Sequence, residues 1–214
     1  MGRRFVAERR RDPFYRAAQR EGLRSRAAFK LAYLDERFHL LRPGLRVLDL
    51  GAAPGGWSLV AAGAVGPTGS VVAVDLRPIA PAEGVRTVRG RVGDPELPGR
   101  LGPERFDLVL SDLSPRISGA YATDHARSVD LVRSAWGVAA RVLAPGGAFV
   151  AKVFDGELVA RLETELASAF ASVRRTKPPA SREASSELYL VARGFEAPSA
   201  VKDPSPRGGR GSAI

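Results

Sequence analysis

Residues 47–57 constrain the fold of this chain more than any other stretch, because an apolar run there passes into a glycine-rich turn. The apolar beginning of this stretch predicts a buried strand. Gly51, Gly55 and Gly56 remove the Cβ atoms that would keep a small molecule away from the backbone of the turn. The apolar run that Trp57 opens predicts a helix directly after the turn. This order of strand, turn and helix is typical of a ligand site in an α/β fold.

The residues of the turn also narrow the class of cofactor. The dinucleotide fingerprint requires a glycine where this chain has Ala53, and Pro54 stiffens the turn, so the sequence disfavours NAD. A second strand at 71–74 ends in Asp75, close to the distance of about 20 residues at which an acidic residue hydrogen-bonds ribose hydroxyls. A nucleoside without a pyrophosphate fits this pattern, and S-adenosylmethionine is the commonest such cofactor.

Strands and helices alternate along most of the chain, which predicts an α/β fold with a parallel sheet and helices on both faces. The predicted strands are 46–50, 70–75, 85–89, 106–111 and 147–154, and the predicted helices are 56–65, 124–143 and 156–170. A further helix over 25–38, with Ser25 as its N-cap, precedes them. Two last extended runs, 171–176 and 187–193, predict a C-terminal pair of hairpin type.

The length of 214 residues, with 44% hydrophobic residues, predicts one substantial domain. We place this domain at 23–195, between a basic segment at 1–22 and a flexible tail rich in Pro, Gly and Arg at 196–214. The net charge is +10, and nine arginines lie within residues 1–26. This excess predicts a polyanionic partner.

Composition also excludes several kinds of protein. The chain has no cysteine, so it forms no disulfide and carries no thiolate nucleophile or thiolate metal site. No stretch approaches the roughly 18 apolar residues of a membrane span, so we expect a cytoplasmic protein without a membrane partner. His39 and His125 lack partners at metal-ligand spacing, so no metal is expected. We also expect a monomer.

Polar residues close several of the predicted apolar strands. Asp112 follows the fourth strand, Lys152 lies near the end of the fifth, and Glu187 begins the last extended run, while Lys30 lies on the first helix. Ligands of open α/β sheets lie outside the carboxyl ends of the strands. Each residue alone would be an ordinary turn or surface residue, but together they predict a site.

Five motifs give the chain a specific resemblance to a known family. They span residues 22–31, 49–58, 111–112, 143–147 and 152–154. They look like the motifs of the FtsJ-like family of ribosomal RNA ribose 2′-O-methyltransferases, and the likeness covers about residues 14–195 in the right order. The resemblance implies a Rossmann-like S-adenosylmethionine-dependent methyltransferase fold, mostly parallel, with a C-terminal antiparallel strand pair. It also implies a catalytic set of Lys30, Asp112, Lys152 and Glu187.

The resemblance further implies a substrate and a set of cofactor contacts. The substrate is a uridine ribose in the A-loop of large-subunit (23S) ribosomal RNA, so the expected partner is ribosomal RNA or the assembled large ribosomal subunit. The implied cofactor contacts are Gly55, Trp57, Asp75 and Asp112. One position departs from the family, because Arg91 stands where an aspartate contacts the adenine. Asp94, three residues later, either takes over this contact or caps the next turn.

Ribose methylation assigns a role to each member of the catalytic set. A 2′-hydroxyl is a poor nucleophile until its proton is removed, and a lysine serves as base where burial or a second cation favours its neutral form. We therefore expect Lys152 to act as base beside Lys30. Asp112 and Glu187 would orient the lysines and the hydroxyl.

Other functions are not excluded by the sequence. Methylation of a base amino group favours a Pro-Pro-aromatic loop, whereas Pro115 is followed by Arg116. A nucleotide-dependent oxidoreductase is disfavoured by Ala53. A non-catalytic RNA-binding protein that keeps a relic methyltransferase fold is a stronger alternative, because of Arg91. Within the enzyme class, transfer RNA or another structured RNA is the alternative substrate.

Overall fold

The computed structural model describes residues 27–179 and 186–196. Its helices are α1 (Ala27–Phe38), α2 (Gly56–Val65), α3 (Leu97–Arg100), α4 (Tyr121–Val142) and α5 (Val159–Ala167). Its strands are β1 (Arg46–Leu50), β2 (Ser70–Asp75), β3 (Val85–Arg89), β4 (Phe106–Ser111), β5 (Leu143–Phe154), β6 (Phe170–Thr176) and β7 (Glu187–Phe195). The structure therefore confirms the predicted alternation of strands and helices.

The strands form a single sheet in the order β3-β2-β1-β4-β5-β7-β6. Neighbours from β3 to β5 pair in parallel, whereas β7 pairs antiparallel with both β5 and β6. The predicted α/β class, with a mostly parallel sheet and a C-terminal antiparallel pair, is confirmed. Because β7 lies between β5 and β6, the last described strand is inside the sheet and the earlier strand β6 forms its edge.

Hydrophobic layers cover both faces of the sheet, and β1 contributes side chains to each of them. Val47 packs in the layer that contains the apolar residues of α1 and α2. Leu48 and Leu50 pack in the layer that contains those of α4 and α5. A strand buried on both faces reads as a continuous apolar run, which is why residues 47–50 stand out in the sequence.

Several element boundaries differ from the prediction. β5 begins at Leu143 instead of 147, because Leu143 already pairs with Phe106 before the register shifts at the Pro145-Gly146-Gly147 turn. α4 begins at Tyr121, and α5 covers only Val159–Ala167 of the predicted 156–170. β6 and β7 extend the predicted runs to Phe170 and Phe195, respectively. The short helix α3 was not predicted, since its four residues include a proline and a glycine.

The basic segment at 1–22, the Ser25 cap and the predicted tail at 196–214, except Glu196, lie outside the described residues. Within the described ranges, no helix is long and apolar enough to cross a membrane.

Candidate active site

The order of the strands reverses between β1 and β4, and this reversal creates a crevice at their carboxyl ends. Gly51 leaves β1 on one side of the crevice, and Asp112 leaves β4 on the other. The Asp112 N–H donates a hydrogen bond to the Leu50 carbonyl at 3.3 Å, which joins the two strand ends. The parallel pairing of β1 with β4 therefore brings together two motifs that are about 60 residues apart in sequence.

Backbone angles and close contacts explain why the turn contains glycines. Gly51 has a φ of +79°, and a Cβ atom there would lie 2.7 Å from Cδ2 of Leu113. Gly55, just before α2, has a φ of +103°. L side chains rarely adopt either backbone conformation. Glycine therefore suits both positions by its positive φ, and Gly51 also by its close approach to Leu113.

Two adjoining cavities occupy the crevice. The larger has a volume of about 710 Å³ and the smaller of about 140 Å³. Both are lined by Gly51, Ala53 and Asp112. The larger extends to Asp75 and Arg91, whereas the smaller is lined by Asp49 and Trp57 among others. An elongated ligand can span both cavities and contact the turn along its length.

Asp75, at the end of β2, fixes the turn. Its Oδ2 accepts a hydrogen bond from the Ala53 N–H at 2.9 Å, and its Oδ1 accepts one from the Arg77 N–H at 2.8 Å. The Arg77 Nε also lies 3.5 Å from Oδ1. The carboxylate thus lines the larger cavity in a fixed orientation.

Asp49 is a buried carboxyl group that sequence reasoning did not single out. Its side chain has no exposed surface, and its Oδ2 accepts a hydrogen bond from Ser58 Oγ at 2.6 Å. Oδ1 is the buried side-chain polar atom without a hydrogen-bond partner in the described part of the chain. Burial raises the pKa of Asp49 to about 7. The sequence did contain a signal for this residue, because Asp49 stands between Leu48 and Leu50 in an otherwise apolar strand.

Arg91 and Asp94 occupy different surroundings. Arg91 lines the larger cavity with Val92 and Gly93. Asp94 Oδ1 instead accepts a hydrogen bond from the Glu96 N–H at 3.0 Å, and its Oδ2 lies 3.8 Å from Arg100 Nη1. These contacts correspond to the turn-capping role, one of the two that the sequence left open.

The four predicted catalytic residues form two ion pairs, and one of them includes Asp112, which lines both cavities. Lys30 Nζ lies 2.5 Å from Glu187 Oε2, and Lys152 Nζ lies 3.0 Å from Asp112 Oδ1. Lys152 Nζ also donates to the Asp112 carbonyl at 3.0 Å. Both lysines are buried, with 5% and 7% of their surface exposed. Each lysine is therefore held by a carboxylate inside the fold, a geometry that the sequence did not specify.

Tyr189 contacts both ion pairs, although the sequence analysis did not include it. Its hydroxyl donates to Asp112 Oδ1 at 2.9 Å, and the centre of its ring lies 5.8 Å from Lys30 Nζ. The ring also packs on Trp57, with 5.6 Å between centroids. Tyr189 follows Glu187 by two residues on β7, so both side chains lie on the same face of the sheet. This two-residue spacing could have identified Tyr189 from the sequence.

The two histidines differ in their surroundings. His125 is buried, with its Nδ1 2.9 Å from the Phe154 carbonyl and its Nε2 accepting from the Leu158 N–H at 3.2 Å. His39 is exposed. In the described ranges, no three His, Cys, Asp or Glu side chains are grouped so as to hold a metal ion.

Residues 23–195 match the model of the FtsJ-like methyltransferase family. A protein from Methanothermobacter thermautotrophicus named ribosomal RNA large subunit methyltransferase E is 48% identical over 201 residues, which cover 92% of this chain and 95% of that protein. A protein of the same name from Granulibacter bethesdensis is 47% identical over 94% of this chain and 87% of its own length. These values establish the family to which the chain is related across most of its length.

Solved structures agree with this relationship. The crystal structure of a provisionally assigned ribosomal RNA methyltransferase from Plasmodium falciparum is 28% identical, with a TM-score of 0.70, and the match covers 80% of this chain and 98% of that one. A provisionally assigned methyltransferase from Streptococcus mutans, solved with S-adenosylhomocysteine, is 12% identical, with a TM-score of 0.51 over 73% of this chain and 90% of that one. The second likeness concerns the fold alone.

Proposed function

Because this chain belongs to the FtsJ-like methyltransferase family, we propose that it transfers a methyl group from S-adenosylmethionine to a ribose 2′-hydroxyl of RNA. The proposed substrate is a uridine in the A-loop of large-subunit ribosomal RNA. The name of the relatives that are 47% and 48% identical supports ribosomal RNA as the substrate. The observation that carries the proposal is the pair of buried Lys–carboxylate contacts beside the two adjoining cavities.

The residues of the crevice suit S-adenosylmethionine. The orphaned Asp49 Oδ1 at the smaller cavity is an acceptor suited to the α-ammonium of the methionine part. Gly55 has the positive φ that leads the turn into α2, and Gly56 and Trp57, directly after it, line the smaller cavity. Asp75, in the larger cavity, is suited to the ribose hydroxyls. When bound, the cofactor supplies a methyl group already activated on a positively charged sulfur.

Asp112 and Lys152 are placed to act on the substrate hydroxyl. A neutral lysine amine has two N–H donors and one lone pair. The two donors of Lys152 are directed to the carbonyl and the Oδ1 of Asp112. The lone pair is then available for the proton of the ribose 2′-hydroxyl. Asp112 also lines both cavities, so its contacts set the position of Lys152 relative to the methyl donor. Such alignment supplies several kcal/mol of catalysis by itself.

Bound S-adenosylmethionine would supply the methyl group to the 2′-oxygen and would leave as the uncharged thioether. Lys152, as a neutral amine, would accept the proton that the hydroxyl loses. Lys30 and Glu187 form an ion pair next to the ring of Tyr189. In this proposal, the pair orients the incoming ribose. The ion pairs thereby keep two lysines in one site without an uncompensated buried charge.

The test is methyl transfer by the purified protein. Large ribosomal subunits, free ribosomal RNA and transfer RNA from cells that lack this protein are incubated with S-adenosylmethionine carrying a labelled methyl group. We expect mass spectrometry to locate the label on the ribose of one uridine in the large-subunit RNA. Label on a base, or label confined to transfer RNA, would contradict the proposed substrate.

Lys152→Ala tests the catalytic assignment in the same assay. Loss of a positioned proton acceptor lowers the rate by about 100-fold or more, while the affinity for S-adenosylmethionine changes little. The control is Arg161→Ala, which removes an exposed cation from α5, with 76% of the side chain in solvent. Near-normal turnover of Lys152→Ala would remove Lys152 as the base.

A further inference from the structure

A third cavity lies beside Glu187 and has a volume of about 380 Å³. It is lined by Ser114, Ile117, Gly119, Tyr121, Asp124, Phe154, Ser186 and Glu187. Ser114 also lines the larger cavity of the crevice, so the two cavities share a wall. A group that enters this third cavity therefore contacts the Lys30–Glu187 pair from outside the proposed cofactor site.

Two large apolar side chains are exposed at this cavity. Ile117 is 66% exposed and Tyr121 is 61% exposed. In the described part of the chain, the other large hydrophobic residue with such exposure is Leu76, which lines the larger cavity. Exposed apolar residues that gather beside a catalytic site mark a surface on which a ligand packs.

The backbone that carries these side chains is held firmly. The Asp124 carboxylate accepts hydrogen bonds from the Ser118 N–H at 2.9 Å, the Ser118 Oγ at 2.8 Å and the Gly119 N–H at 3.1 Å. These hydrogen bonds, led by that of the Ser118 backbone, lower the pKa of Asp124. The carboxylate therefore stays ionised and fixes the segment between β4 and α4.

The Tyr121 ring is fixed as well. Its hydroxyl donates to the Asp155 carbonyl at 2.5 Å, and its ring stacks on that of His125, with 6.3 Å between centroids and 12° between planes. His125 is itself held by Phe154 and Leu158. Tyr121 thus presents a preoriented aromatic ring to solvent at the first turn of α4.

We propose that Ile117 and Tyr121 form the surface on which the base of the target nucleotide packs, which places its ribose against the catalytic ion pairs. This inference rests on the proposed function. Sequence-specific RNA recognition commonly acts on unstacked bases that stack on aromatic side chains. Such stacking tolerates any base, so this surface sets the position of the nucleotide and not its identity.

The test compares Tyr121→Ala, Ile117→Ala and the matched control Tyr121→Phe in RNA methylation. The control keeps the ring and removes only the hydroxyl that contacts Asp155. We expect kcat/KM for RNA to fall about 10- to 100-fold in each alanine variant and to stay within about threefold of wild type in the control. The affinity for S-adenosylhomocysteine, measured by calorimetry, stays unchanged in all three variants.

The outcomes distinguish a failure of this inference about the base from a failure of the proposed RNA methylation. If wild type methylates RNA and both alanine variants match it, the surface has no role in binding the base. If Tyr121→Phe is as slow as Tyr121→Ala, the hydroxyl contact and not the ring is responsible, which also overturns the inference. If wild type methylates no RNA in the same assay, the proposed function itself fails. Ile117→Ala keeps the test decisive if Tyr121→Ala does not fold, because Ile117 lies in an exposed loop.

Discussion

At the scale of single residues, the protonation of Asp49 is set by the fold. Removal from solvent is the main cause of its raised pKa, and the nearby carboxylates of Asp112 and Asp75 raise it further. The hydrogen bonds from Ser58 act in the opposite direction. With a pKa of about 7, Asp49 is mostly protonated at pH 6 and mostly ionised at pH 8.

This pKa predicts a pH dependence of cofactor binding, if Asp49 receives the α-ammonium as proposed. A cation binds the ionised carboxylate, so protonation below pH 7 opposes binding and affinity rises from pH 6 to pH 8. Linkage predicts a rise of about tenfold when binding lowers the pKa well below 6. Calorimetry with S-adenosylhomocysteine at pH 6 and pH 8 measures this rise in affinity. In Asp49→Asn we expect weaker binding and no such rise. An equal rise in this variant would assign the dependence to another group.

At the scale of secondary-structure elements, the segment between β3 and β4 contains the one short helix that the sequence analysis did not predict among the described elements. Asp94 forms an Asx turn through the Glu96 N–H, and this turn leads into α3. The Asp94 N–H in turn donates to the Arg91 carbonyl at 3.0 Å. The turn therefore directs the Asp94 carboxylate to its own backbone, while Arg91 lines the larger cavity.

Asp94→Ala separates the two roles that the sequence left open. We expect a loss of about 1 kcal/mol in the free energy of unfolding, as for other lost capping contacts, and an unchanged affinity for S-adenosylmethionine. Chemical denaturation and calorimetry give the two quantities. A loss of about 1.5–3 kcal/mol in binding would instead show that Asp94 contacts the cofactor through a charge-assisted hydrogen bond. Glu104→Ala, an exposed carboxylate before β4, is the control.

At the scale of the whole molecule, the charge is unevenly distributed along the chain. The net charge is +10, and nine arginines lie within residues 1–26, directly before the helix that carries Lys30. This segment would therefore bind RNA phosphates next to the helix that carries Lys30, one of the four proposed catalytic residues. Each neutralised phosphate releases counterions, so the affinity for RNA depends on salt concentration.

Deletion of residues 1–12 removes five of these arginines together with Glu8 and Asp12. We expect weaker RNA binding and a shallower slope of log affinity against log salt, because fewer phosphates are neutralised. The affinity for S-adenosylmethionine stays unchanged, since the cavities lie in the domain that remains. Fluorescence anisotropy over a range of salt concentrations measures the slope, and deletion of 197–214 is the control. Equal slopes for the 1–12 deletion and the full chain would mean that this arginine segment does not bind RNA.

The sequence by itself determined the features that depend on local pattern. Apolar runs located the inner parallel strands β1, β2, β4 and β5, because strands buried on both faces contain few polar residues. The glycines at 51 and 55 located the turn, because other residues rarely adopt the positive φ angles found there. The family motifs located the four catalytic candidates. The sequence analysis missed the start of β5 at Leu143, because this start depends on pairing with a distant segment. It also missed the helix α3, because this helix arises from a single turn.

Only the tertiary structure decided which of these residues meet and in what state. The pairing of Lys30 with Glu187 joins residues 157 positions apart, and the register of β5 on β7 places Tyr189 opposite Lys152. The pKa of Asp49 likewise depends on burial by the whole sheet. Ion pairing, register and desolvation are set by distances through space. A linear pattern of residues carries no direct record of those distances.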